Sequence, residues 1–122
     1  MAAALGLAAA RAGRRTIVCE VAEQDRVSRA FRREGVVAET EVQLADNLWA
    51  ITIDPQRALE EWLGRQVGGV GLRVLARSSA FQYFVAAAPG AKELITIAKV
   101  WELAQLSRWD ARNRTYDLVV VD

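Results

Sequence analysis

Histidine is missing from this 122-residue chain, and cysteine occurs once. The first absence excludes His-based triads, His general bases and His metal ligands together. The second excludes an internal disulfide and any Cys-cluster metal site, and it accords with a reducing compartment. Charge of one sign is lacking too: 16 basic residues face 15 acidic ones, for a formal net charge of +1. Such a chain carries no electrostatic footprint for nucleic acid or anionic lipid, and no nucleic-acid partner is expected. Lys92 and Lys99 are the only lysines. With the heavy Ala, Val and Gly usage, that arginine bias reads as GC-rich coding rather than as a binding surface. The apolar run at Met1–Ala10 is shorter than the ~20 residues a membrane span needs. Its positive charge follows the run, where a secretory signal would put it before. What remains is 52% hydrophobic and 25% charged. That globular balance rules out disorder as the main description and leaves room for one domain.

The Ala-rich opening predicts a helix closing at Gly13, with no capping residue in front of it. Thr16 to Glu20 is a short apolar strand. Ala22 to Asp25 reads as a polar turn, with Asp25 placed to cap a short helix from Arg26 to about Arg33 and Gly35 to end it. Val36 to Asn47 is acidic and without period, and is expected to be loop. Leu48 to Ile53 is β-branched and aromatic, a strand. Asp54-Pro55 is a strong helix start, a capping carboxylate followed by proline in the first turn. The helix it opens puts Leu59, Trp62 and Leu63 on one side and Glu60, Glu61 and Arg65 on the other. It weakens at Gly68-Gly69-Val70-Gly71. Ser78 to Ala88 is an apolar, aromatic helix broken by Pro89-Gly90. A long helix from about Ala91 to Leu106 carries Leu94, Ile97, Ala98 and Trp101 at helical spacing, which predicts its buried face. Arg108 to Thr115 reads as a polar connection, and Tyr116 to Asp122 ends in the continuous apolar run of a buried parallel strand. Strands alternating with helices imply an α/β layer architecture with parallel pairing.

Four features invite chemistry. Gly68 to Gly71 lacks both the preceding strand and the following Lys-Ser/Thr of a phosphate loop, so a helix interruption is favoured. Cys19, inside an apolar strand, reads as structural. Arg26, Arg29, Arg32 and Arg33 alternate with acids and read as a solvated face. Phe81, Tyr83 and Phe84 read first as core and second as a client-binding groove. Glu20 and Asp122 stand apart. Each ends a predicted parallel strand at the edge where open α/β sheets hold their ligands, so the two read either as carboxylates that hold Mg²⁺ through water or orient a nucleophile, or as strand-terminating turn residues.

Four segments together resemble the ArsA family of anion-pump and tail-anchored-protein-targeting ATPases. This is a branch of the deviant P-loop class that also holds the ParA, MinD and nitrogenase iron-protein families. Ala2 to Gly13 is similar to the helix that follows the family's G-K-G-G-x-G-K-T loop. Leu48 to Pro55, with Ala58-Leu59-Glu60-Glu61, is similar to its "L-x-A-x-x-I-D-P" strand and helix. Pro89-Gly90-Ala91-Lys92-Glu93, with Val100, resembles its "P-G-x-x-E" helix start. Tyr116 to Asp122 resembles the strand leading into its "D-T-A-P-T-G-H" signature.

The resemblance implies an incomplete three-layer P-loop NTPase fold with parallel strands and a helical insertion. Residues 1–122 would be the internal portion of one ATPase domain, cut at both ends, with the phosphate loop upstream and the rest of the signature downstream. It implies ATP and Mg²⁺ as cofactors, with Asp122 as the carboxylate that holds Mg²⁺ through water. The family's switch usually reads "S-T-D-P-A-H"; an ungapped match puts its Asp on Ala22 and its Pro on Glu23. Glu20 takes the first acidic position of the "D-x-D" of ParA and MinD relatives. Either Glu20, Glu23 or Asp25 therefore takes the switch aspartate's place in positioning the attacking water, or hydrolysis is slow. The family's metalloid-binding cysteines have no counterpart, so arsenite is not an expected ligand. Expected partners are ATP, a second copy or pseudo-dimer half, and a membrane transporter or apolar client. The expected location is cytoplasmic, peripheral to the membrane where the partner is a transporter. The competing readings are a ParA- or MinD-like positioning ATPase and a degenerate interaction module without catalysis.

Overall fold

Three strand segments rich in Val, Ile and Leu pair side by side because none can satisfy its backbone alone. The structure is a computed structural model and describes residues 1–21, 40–87, 90–108 and 113–122. Its elements run α1 (Ala2–Arg11), β1 (Thr16–Val21), β2 (Val42–Ala45), β3 (Leu48–Ile53), α2 (Pro55–Ala76), α3 (Ser79–Ala87), α4 (Ala91–Leu103) and β4 (Leu118–Val121). The sheet order is β2-β3-β1-β4. β1 is parallel to β3 on one side and to β4 on the other, with Cys19 opposite Ile51 and Val121. The central position of β1 explains its unbroken apolar run: Thr16, Ile17, Val18, Cys19 and Glu20 are all buried.

Helices cover both faces, giving three layers. On one face, α1 packs Ala2 and Ala10 against Val18, Leu48, Ala50 and Val120. The approach is close: a Cβ on Gly6 would lie 2.6 Å from Val18 Cγ2, so small residues let this helix sit directly on the sheet. On the other face, Leu103 of α4 joins Ile17, Cys19, Trp49, Ile51, Ile53 and Tyr116. The α/β architecture with mostly parallel strands, and the helical insertion α2–α4 between β3 and β4, match the expectation from the sequence. Asp54 also acts as expected: its Oδ1 accepts the N–H of Gln56 at 2.9 Å and of Arg57 at 3.4 Å. Gly68 interrupts α2 with non-helical φ 76° and ψ 159°. The glycine run is thus a helix break, and Cys19 is a buried structural residue.

Several expectations need correction. Loop was expected through Asn47, but Val42–Ala45 is an antiparallel edge strand on β3, with a register irregularity between Gln43 and Ala45. Its pairing comes from the neighbouring strand through the tight Asp46-Asn47 turn, where Asn47 has φ 58°; a four-residue segment shows too little period to announce itself. The long helix turns the other way from its apolar pattern. Leu94, Ile97 and Trp101 are 69%, 64% and 57% exposed, whereas Thr96, Lys99, Glu102 and Leu103 are buried. Glu61, placed on the solvent side by pattern, bonds Lys99 of α4 at 3.0 Å. Arg108 lies in the polar connection expected after the long helix but is buried, with Nε and Nη2 donating to the two Glu102 oxygens at 2.8 and 3.1 Å. Tyr83 is 75% exposed rather than core. The helix expected over Arg26–Arg33 with its arginines, the Ala22–Asp25 turn, Gly35 and Pro89 lie outside the described residues, as do the side chains of Phe84 and Val85.

A clamp fixes the start of β4. Arg15 donates from its backbone N–H to Asp117 Oδ2 at 2.8 Å and from Nη2 to Oδ1 at 3.0 Å. The Arg15 hydrogen bonds hold the Asp117 carboxyl below its ordinary value. A carboxylate depressed on folding adds stability above its unfolded pKa of ~3.9 and loses it as pH falls through the folded value. Asp117→Asn is therefore expected to lower the urea midpoint at neutral pH, by a modest amount since both side chains are solvated. The gap from the parent should close in the most acidic samples. A gap that stays constant with pH would contradict this assignment.

Candidate functional site

The carboxyl edge of the parallel strands gathers the candidate carboxylates. Cys19 pairs with Val121 in register, so the next residues, Glu20 and Asp122, are neighbours on adjacent strands. The Asp122 N–H donates to the Cys19 carbonyl at 2.9 Å, which carries the ladder one residue past β4. Side chains alternate along a strand. Glu20 therefore shares a face with Val18, and Asp122 with Val120, both of which pack under α1. Glu20 is 1% exposed, while Asp122 is open to solvent. The third acid of this edge, Asp54 after β3, is already committed to capping α2. Glu23 and Asp25 lie outside the described residues.

The same edge faces one end of a helix. α1 turns through Gly13 directly into β1, so it runs back along that strand and its N-terminus arrives at the carboxyl edge. That N-terminus has no side-chain cap. Free N–H groups and the positive end of the helix dipole make such an end favourable to anions. Two strand-end carboxylates and a helix N-terminus thus lie on one face of the sheet.

The fit to the expected cofactors differs between the two. Among the described residues no cluster of three or more His, Cys, Asp or Glu is arranged to hold a metal unaided. Mg²⁺ asks for less, taking one or two carboxylates and completing its shell with water and phosphate oxygens. Asp122, exposed at the strand end, fits that role. Among the described residues the phosphates of ATP find no glycine cradle: the glycine run is the break in α2, within the helical insertion.

With this geometry in place, comparison with known families is decisive. The family model described as anion-transporting ATPase, ArsA_ATPase, matches residues 1–122. The chain belongs to the ArsA ATPase family. No curated protein matches it. Members of this family are ATPases and use ATP with Mg²⁺.

A second polar assembly, on the opposite face, escaped sequence reasoning. Arg108 ties Glu102 of α4 to the Arg114 carbonyl at 2.8 Å and forms an ion pair with Glu41. Burial works against the Arg108 charge, but hydrogen bonds to Glu102 and Glu41 outweigh it and raise its pKa. Tyr116 donates its hydroxyl to Glu41, and burial followed by that contact pushes the phenol up. Trp49 lies beneath the Arg114 guanidinium at 4.6 Å and edge-on to Tyr116 at 5.6 Å. Its indole Nε1 is buried without a hydrogen-bond partner among the described residues. The only signal available in the sequence was the set of polar residues falling on an apolar helix. No described helix is long and apolar enough to cross a membrane.

Proposed function

We propose that residues 1–122 are the internal portion of an ArsA-like ATPase domain that couples ATP hydrolysis to a membrane transporter or an apolar client protein. The observation that carries this reading is the in-register pair Glu20 and Asp122 beside the N-terminus of α1. Asp122 holds the water shell of Mg²⁺. One of Glu20, Glu23 and Asp25 orients the attacking water, and the end of α1 favours phosphate charge. Bound Mg²⁺ supplies neutralisation of the charge on the transferring phosphoryl oxygens. Catalysis in such a site is mainly positioning and electrostatic stabilisation. The working unit is a homodimer or pseudo-dimer in the cytoplasm, peripheral to the membrane where a transporter is the partner. The exposed Trp62, Leu94, Ile97 and Trp101 support an apolar client.

The sequence contains no Gly-x-x-x-x-Gly-Lys-Ser/Thr run. The 122-residue chain alone is therefore expected to release no phosphate from MgATP above the enzyme-free blank. A domain completed with a strand and a Gly-Lys-Gly-Gly-x-Gly-Lys-Thr loop ahead of α1, and with the rest of the signature after Asp122, should show Mg²⁺-dependent release, and Asp122→Asn should remove it. Turnover by the chain alone would overturn its inactivity. A completed domain that folds yet neither binds nor hydrolyses ATP would overturn the ATPase reading.

A further inference from the structure

The register of β4 is not specified by its own side chains. A strand usually finds its register by pattern, because a slip of one residue turns every side chain to the other face. Leu118, Val119, Val120 and Val121 are four branched aliphatic residues in a row, so both faces keep the same chemistry after a slip. Swaps among such residues alter shape a little and polarity not at all. The evenly spaced hydrogen bonds of a parallel ladder are also available again after the strand slides.

The place of Asp122 nevertheless depends on that register. Thr16 pairs with Leu118 and Cys19 with Val121, which sets Asp122 beside Glu20. Asp122 then shares the face of Val120, the face that α1 covers. A slip of one residue would move Asp122 about 3.3 Å along the edge and turn it to the opposite face.

What tells one register from the next is Asp117. Its Oδ2 accepts the Arg15 backbone N–H at 2.8 Å, and its own N–H donates to the Arg15 carbonyl at 2.8 Å. These two bonds close a ring that fits only when residues 15 and 117 stand opposite each other. The Arg15 guanidinium adds bonds to Asp117 Oδ1 at 3.0 Å and to Thr115 Oγ1 at 3.4 Å. Tyr116 anchors the same end, but its hydroxyl goes to Glu41 ahead of β2 and not to β1. The clamp is solvated and therefore weak in isolation. A weak contact decides where the alternatives are nearly equal.

We propose that Asp117 is a positioning residue for Asp122: bound to Arg15, it sets the register of β4 and so turns the strand-end carboxylate onto the α1 face beside Glu20. The use of that placement for Mg²⁺ rests on the ATPase reading, whereas the register itself does not.

NMR of the 122-residue chain, without nucleotide or divalent cation, reads the register from amide and α-proton contacts between β1 and β4. The parent should show one set, with Cys19 opposite Val121. Asp117→Ala should bring in a set displaced by one residue, with Cys19 opposite Val120 or Asp122. Asp117→Asn, which keeps an oxygen for the Arg15 N–H, should show the parent set alone. A second variant keeps the clamp and carries one extra valine after Val119. There Leu118 should stay opposite Thr16, and the terminal aspartate should move one step past Glu20. This insertion decides the matter where Asp117→Ala does not fold. Asp117→Ala with only the parent contacts would overturn the proposal. So would an insertion that leaves the aspartate beside Glu20 and draws Asp117 away from Arg15.

Discussion

Arg108→Met is expected to cost about 3–5 kcal/mol of folding stability, the range for removing one member of a buried ion pair. The reason lies with the partner. Glu102 and Arg108 are each 2% exposed at the side chain, and losing the guanidinium leaves Glu102 charged in a site that water does not reach. Lys99 Nζ, 4.0 Å from Glu102, places the loss towards the lower end of that range. The substitution also releases the Arg114 carbonyl and Glu41, so the approach to β4 and the approach to β2 loosen together. The double variant Glu102→Leu, Arg108→Met should recover most of the loss, since an apolar replacement of a whole buried pair is often neutral or better. Urea midpoints of the three proteins check this. Equal losses in the single and double variants would show that the charge pair is not the cause.

Leu103→Ala should cost about 2–5 kcal/mol, as a large-to-small change in a filled core. Leu103 is fully buried against Ile17, Trp49 and Ile51 and anchors α4 to the sheet. Leu94→Ala, on the same helix, should stay within ~0.5 kcal/mol, the usual range for a surface site. The pair of measurements reads out which face of α4 meets the sheet. Comparable losses at both positions would restore the face that the apolar spacing predicted.

That helix shows where sequence reasoning succeeds and where it stops. β1, β3 and β4 were legible because strands covered on both faces must be apolar throughout, and their ends carry Glu20, Asp54 and Asp122 at one edge of the sheet. Asp54-Pro55 was legible because a capping carboxylate and an N1 proline act locally. The orientation of α4 was not. Its buried face carries Thr96, Lys99 and Glu102, made tolerable by partners on α2 and at Arg108, and no local pattern announces partners so distant in sequence. Its outward face carries the apolar residues that periodicity assigns to the interior. β2 was missed for a similar reason, since a four-residue edge strand owes its existence to β3. The register of Glu20 beside Asp122 became visible only once the strand order was known.

The most direct test of the proposal that this edge holds a cation uses Mn²⁺ in place of Mg²⁺, with paramagnetic broadening of backbone amide signals as the readout. Titrated into the 122-residue chain, Mn²⁺ should broaden residues 119–122, 19–21 and 2–4 first, and Asp122→Asn should abolish that focus. Broadening spread evenly over Asp46, Glu60 and Glu93, and unchanged by Asp122→Asn, would contradict the placement of the cation at this edge.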